Sequence, residues 1–174
     1  ESVLAPQGYL LTTASSEEQG AILDRLVDRL MEQRVDGLIV VPPRSPKRSW
    51  AEVAPPVPPL VLLDRPDAAA DADTILADNM GGAEAGTSAL IAAGSQRVAF
   101  VGDSLAIHTM RERLRGYRTA LQRASFASDP SLEITSAHDV EEAADLVARV
   151  LAAGVADAVF AANNRAAIGA LRAF

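Results

Sequence analysis

The chain predicts an α/β fold, a parallel sheet with helices on both faces. Short apolar runs such as Leu38-Ile39-Val40-Val41 and Leu60-Val61-Leu62-Leu63 alternate with longer segments whose apolar residues recur at helical spacing. The runs are apolar throughout, as expected of strands covered on both faces. Each run hands over to the following segment through a charged or amide residue, Asp78-Asn79-Met80-Gly81-Gly82-Ala83 being the clearest case. In a parallel sheet, small molecules bind in the crevice outside the carboxyl ends of the strands.

In chain order, Ser2 to Pro6 reads as the tail of something that began earlier, and Gly8-Tyr9-Leu10-Leu11-Thr12 as a first strand. Ser16 and Gln19 have the spacing of a capping box, with Glu17 and Glu18 suited to a helix N-terminus. Ile22, Leu23, Leu26, Val27, Leu30 and Met31 then form one apolar stripe. Asp36-Gly37 turns the chain into the strand at 38–41, which Pro42-Pro43 ends. Residues 44–59 are proline-rich and irregular and hold Trp50, the single tryptophan. Leu60 to Leu63 is a third strand, and Ile75-Leu76-Ala77 a fourth that runs into Asp78. A helix follows from about Gly82 to Ala93, closed by Gly94 as a left-handed cap. Arg97 to Val101 is a fifth strand, and Thr109 to Arg123 a helix with Leu114, Tyr117 and Leu121 on one side. Glu133 to Ser136, Asp139 to Ala153 and Ala158 to Ala161 give strand, helix, strand, and Asn163-Asn164 opens a last helix. Both ends read as severed.

Composition narrows the function classes. Apolar residues are 49% and charged residues 22% of 174, a globular profile with no run resembling a membrane helix. No secretory signal is visible, and the complete lack of cysteine excludes disulfides, thiolate metal sites and thiol nucleophiles. These features fit a cytoplasmic location. A net charge of −7 opposes a DNA-binding surface on this segment.

Polar residues follow every strand, and N-capping alone explains Ser15, Ser16, Asp139 and one of Asn163 and Asn164. Asp78 is different, because Asn79 beside it is available as the cap, which would leave Asp78 to face a ligand. Arg113 lies next to the apolar stripe of its helix. It could pair with Glu112 or an i+4 neighbour, or could grip a hydroxyl pair or an anion with its fork of donors.

Enzyme signatures are incomplete. Gly102-Asp103-Ser104-Leu105 matches the nucleophile block of GDSL-type hydrolases, but neither His108 nor His138 has the aspartate three residues earlier that such a base needs. No dinucleotide loop, phosphate loop or His-Glu-x-x-His pair is present, and two isolated histidines make no metal site. The chain is therefore expected to be no enzyme and to carry no metal or cofactor.

Taken together, several blocks resemble the effector-binding core of lac-repressor-type (LacI/GalR) transcription regulators. They are Gly8-Tyr9, Val35-Asp36-Gly37-Leu38-Ile39, Leu60 to Arg65, Asp78-Asn79-x-Gly-Gly-Ala, Leu90-Ile91-x-x-Gly94, Arg97 to Val101, Glu112-Arg113-Leu114-x-Gly116-Tyr117-x-x-Ala120-Leu121 and Ala162-Asn163-Asn164-x-Ala166-x-x-Gly169-Ala170. The resemblance implies a type I periplasmic-binding-protein-like fold, two Rossmann-like lobes with parallel sheets and an effector between them, incomplete in this chain. It implies a partial N-terminal lobe at residues 1–96 and a partial C-terminal lobe at 97–174. The DNA-binding helix-turn-helix is absent from this chain and would precede Glu1, and the last strands would follow Phe174.

Position by position, the resemblance makes Asp78, Arg113 and Asn163 contacts to effector hydroxyls and Thr109 a further pocket hydroxyl. It places Ala137 or His138 where many members set a ring against the ligand. Two departures stand out. Ser95 replaces a common histidine, and no aromatic falls on a matched pocket position in a chain that is 4% aromatic. The implied function is to bind a sugar or related polyol and switch the operator affinity of a homodimeric repressor, with no membrane partner. The alternative is an exported solute-binding protein of a transporter. The link from Leu90 to Arg97 and the Glu112-Arg113-Leu114-x-Gly-Tyr block favour the regulator.

Overall fold

The computed structural model describes residues 3–174, so part of the expected leading tail lies outside the described residues. The chain packs as two compact units, one ending at Ile75 and the other running from Leu76 to Phe174.

The first unit has three parallel strands, β1 (Leu38–Val40), β2 (Leu60–Leu63) and β3 (Asp73–Ile75), in the order β1-β2-β3. Helix α1 (Gly20–Glu32) lays Leu23, Val27, Leu30 and Met31 on Leu38, Val40, Leu60 and Leu62, with Trp50 and Val53 packed at the margin. Four of the six stripe residues read from the sequence thus build this core, and Ile22 and Leu26 stay outside it, half-buried.

Four details differ from expectation. Residues 8–12 form no strand. Among the described residues no strand runs beside them, and without a ladder to join, Tyr9, Leu10 and Leu11 remain exposed. The run at 38–41 is covered on one face only, leaving Ile39 65% exposed, because α1 packs on a single side of this sheet. The fourth strand sits two residues earlier than 75–77, where Val61, Leu62 and Leu63 pair with Asp73, Thr74 and Ile75.

The capping box at Ser16 also does not form. Glu17 and Glu18 adopt left-handed φ angles of 49° and 62°, so α1 starts only at Gly20 and has no acidic residue in its first turn. The Glu18 carboxylate instead accepts two hydrogen bonds of 2.7 Å from Arg65 and one of 3.0 Å from the Arg44 amide. The Arg65 guanidinium holds that carboxyl below the ordinary glutamate range.

The second unit centres on β4 (Val98–Val101), flanked by β5 (Glu133–Ile134) and β6 (Ala158–Ala161) in the parallel order β5-β4-β6. All four residues of β4 are buried, as its uninterrupted apolar run predicts. Val98 and Phe100 face α3 (His108–Arg123), meeting Met110, Leu114, Tyr117 and Leu121. Val101 faces α4 (Val140–Ala152) and α5 (Asn164–Ala173), where Ala143, Val147, Ala166 and Ala170 complete the other layer. The Tyr117 hydroxyl donates to the Val98 carbonyl at 2.7 Å, and burial pushes its pKa up to about 12.

Helix α2 (Asn79–Ala92) packs within this second unit. It lies close on α3. A Cβ on Gly116 would lie 2.1 Å from the Met80 carbonyl oxygen and 3.0 Å from the Ala83 Cβ, so the two backbones meet where only glycine fits. Asp78 caps α2 at one end. At the other, Gly94 takes the left-handed conformation expected of it, with φ of 106°.

Candidate ligand-binding site

All five residues singled out in the sequence, Asp78, Thr109, Arg113, His138 and Asn163, fall in the second unit. Asp78, His138 and Asn163 lie at helix entrances, the last two just beyond the carboxyl ends of β5 and β6. The loops leaving the three strands are tied together. The Gly102 amide donates to the Ile134 carbonyl, the Ala137 amide to the Gly102 carbonyl, and the Ala162 amide to the Val101 carbonyl, at 2.8, 3.0 and 2.8 Å. Asp103, His138 and Asn163 are therefore presented from one braced sheet edge.

Arg113 organises this edge. Its Nε donates to Asn79 Oδ1 at 2.8 Å and its Nη1 to the Ala162 carbonyl at 2.5 Å. The side chain thus spans from the start of α2 to the end of β6. Pairing with Glu112 does not occur, because Glu112 binds Arg115 at 2.9 Å. Nη2 of Arg113 has no hydrogen-bond partner among the described residues and remains a donor held in fixed orientation by its two neighbours.

The expected division of labour between Asp78 and Asn79 is reversed. Asp78 is the N-cap, its Oδ1 accepting from the Gly81 amide at 2.8 Å, while Asn79 is buried and holds Arg113. Asn79 is fixed in turn by donating from Nδ2 to the Ala77 carbonyl at 3.0 Å. Asp78 is exposed, and a carboxylate has more acceptor sites than one amide occupies.

Asn163 caps α5 by accepting from the Ala166 amide at 2.8 Å, which leaves its amide group as a donor. Thr109 is buried in the first turn of α3, one turn before Arg113. His138 stands on the β5 side, away from the Arg113 contacts, and its Nδ1 lies 2.7 Å from Asp103 Oδ1. The structure brings Asp78, Arg113 and Asn163 together through their immediate neighbours Asn79 and Ala162. It forms no direct hydrogen bond between any two of the five among the described residues.

Sequence reasoning missed the structural work of Asn79, the Ala162 carbonyl and Asp103. Asn79 and Asp103 each left a signal in the sequence, as polar residues shortly after an apolar run, whereas the Ala162 carbonyl left none. The adjoining Ser104 accepts from the Ala106 amide at 3.2 Å within its turn.

Comparison with known proteins gives this geometry a context. A family profile described as periplasmic binding proteins and sugar binding domain of LacI family matches residues 2–174. The ribose operon repressor of Escherichia coli K12 is 29% identical over 170 residues, covering 96% of this chain and 51% of that protein. The maltose regulon regulatory protein MalI of the same organism is 29% identical, covering 96% and 49%. The chain thus spans about half the length of these curated relatives. The crystal structure of transcription regulator GntR from Chromobacterium violaceum superposes with a TM-score of 0.77 at 27% identity, covering 98% of this chain and 64% of that one. Transcription regulator CcpA of Lactococcus lactis shares the fold, with a TM-score of 0.81 at 21% identity over 99% and 63% of the two chains.

Proposed function

The chain belongs to the family of periplasmic binding proteins and sugar binding domains of the LacI family, and from that premise we propose that it is the ligand-sensing core of a DNA-binding transcriptional regulator. Its effector is a sugar or related polyol. Asp78, Thr109, Arg113, His138 and Asn163 make the contacts, and the effector bridges two lobes of the complete protein.

One observation carries the reading: Arg113 is locked by Asn79 and the Ala162 carbonyl with Nη2 still available, beside an exposed carboxylate and a capping asparagine. A hydroxyl both donates and accepts, so it suits an edge that offers a fixed guanidinium donor next to carboxylate acceptors. An aromatic stacking face is not needed when planar donors fix the ligand's orientation. The names of the relatives favour a regulator over a transport protein, and the ribose operon repressors among them make D-ribose the first sugar to test.

In the complete protein, a homodimer, the effector acts by preferring one arrangement of the lobes, and it shifts the equilibrium only by its differential affinity for the two arrangements. That arrangement sets the spacing of two DNA-reading heads.

The test is fluorescence anisotropy of the full-length protein on a duplex from its own promoter region, with and without D-ribose or related sugars. The reading predicts that an effective sugar changes operator affinity by roughly 5- to 150-fold, the usual range of allosteric coupling. A full-length protein that binds sugar but no DNA would instead identify the solute-binding protein of a transporter.

A further inference from the structure

Asp103 and His138 form a second polar device on the same sheet edge, separate from the Arg113 contacts. The Asp103 side chain is 4% exposed, while that of His138 is 50% exposed. Asp103 Oδ1 accepts from the Ser104 amide at 2.7 Å and faces His138 Nδ1 at 2.7 Å. A carboxylate buried this deeply is retained only where donors point at it.

His138 is held at its backbone as well. Its amide donates to Glu142 Oε2 at 2.9 Å, and its carbonyl accepts from Arg165 Nη1 at 3.0 Å. Asp139, the next residue, is occupied in capping α4 through the Glu142 amide at 2.8 Å. Glu142 and Arg165 thus bond the backbone of His138 and Asp139 caps the next helix, while the ring's own hydrogen bond goes to Asp103. Nε2 has no partner among the described residues.

In a neutral imidazole one nitrogen carries the proton and the other accepts, and the partner of one nitrogen decides which. A carboxylate oxygen can only accept, so Nδ1 must donate and Nε2 must carry the lone pair.

We propose that Asp103 is a positioning residue of the ligand site, which fixes His138 in the Nδ1-protonated form so that Nε2 presents an acceptor to a ligand hydroxyl. The proposal rests on the polyol reading above and sharpens it. Arg113 supplies a donor at one end of the edge and His138 an acceptor at the other, so the group next to His138 must bring a proton. A hydroxyl qualifies, whereas a carboxylate or a ketone in that position leaves two acceptors facing each other. The site accordingly selects a neutral polyol over the corresponding sugar acid.

The test is long-range proton–nitrogen NMR on the full chain labelled with 15N-histidine, at about pH 8, above the ordinary histidine range. His138 is identified by the peaks lost in His138→Gln. The expected wild-type pattern is a protonated Nδ1 and an unprotonated Nε2. In Asp103→Ala the proton redistributes toward Nε2, and in Asp103→Asn, whose amide oxygen can stand in for the carboxylate, Nδ1 keeps it.

A wild-type ring protonated at Nε2 overturns the proposal even if the alanine variant fails to fold. An unchanged pattern in a folded Asp103→Ala does the same. None of these readouts needs a ligand, so the tautomer can be established while the polyol reading fails. Titration with D-ribose, followed in parallel by calorimetry, then moves the Nε2 resonance and spares Nδ1. Calorimetric binding with Nε2 unmoved removes His138 as an acceptor, whereas absence of binding by any sugar counts against the polyol reading alone.

Discussion

Replacing Arg113 with alanine is expected to weaken sugar binding by about 1.5–3 kcal/mol, the range for a hydrogen bond to a charged group. On the affinity scale that is roughly ten- to more than a hundredfold. The substitution removes the unengaged Nη2 donor together with the two bonds that orient it, to Asn79 and to the Ala162 carbonyl. Those two bonds also link α2 to the end of β6, so some loss of folding stability accompanies the loss of affinity. Arg113→Lys separates the effects, because it keeps the charge and most of the packing stem but not the planar fork. Calorimetry is expected to show the lysine variant well folded and still weak in binding. Unchanged affinity for the sugar in Arg113→Ala would remove Arg113 from the site.

Gly116→Ala is the substitution expected to damage the fold most for its size. Its new Cβ would approach the Met80 carbonyl to 2.1 Å, the Glu84 amide to 2.9 Å and the Ala83 Cβ to 3.0 Å. Two of the three obstacles are backbone, which cannot rotate away, so α2 must move off α3. Overpacking of this kind costs about 1–3 kcal/mol and occasionally more. The displaced turn carries Asn79, the residue that holds Arg113 Nε, so sugar affinity is expected to fall along with stability.

Gly82, on α2, provides the control. A Cβ there meets nothing within 4 Å. Gly82→Ala should therefore stabilise by up to about 1 kcal/mol through the ordinary helix preference for alanine. Urea denaturation of both variants checks the pair. Equal and small effects would mean that α2 and α3 do not meet as closely as the packing requires.

These cases also show how far the sequence could be read. The alternation of apolar runs with amphipathic stretches was sufficient for β4, α3 and α4, because Val98 to Val101 is buried by helices that the same sequence supplies. It failed for residues 8–12, whose apolar character is that of a strand but which have no neighbouring strand among the described residues. Pairing is a property of two segments, and periodicity describes one. The same limit applies at Ile39, where an apolar run looks identical whether one face or both are covered.

At the candidate site, the sequence pointed to polar residues after strands but not to the contacts they make. Asp78 and Asn79 are adjacent and both can cap a helix. Their roles follow from the backbone, which turns Asp78 toward the Gly81 amide and buries Asn79 against Arg113. The pairing of Asp103 with His138 joins residues 35 apart in sequence, and no local pattern encodes it. The close packing of α2 on α3 has a similar origin, since it depends on a glycine in α3 that admits the backbone of α2.

The most direct test of the account is an amide chemical-shift map of the full chain titrated with D-ribose and related monosaccharides. The account predicts saturable shifts concentrated at Asp78, Asn79, Asp103, Thr109, Arg113, His138 and Asn163, with Arg113→Ala abolishing them at the same sugar concentration. Saturable shifts confined to other surfaces, or no response to any monosaccharide from a folded protein, would contradict it.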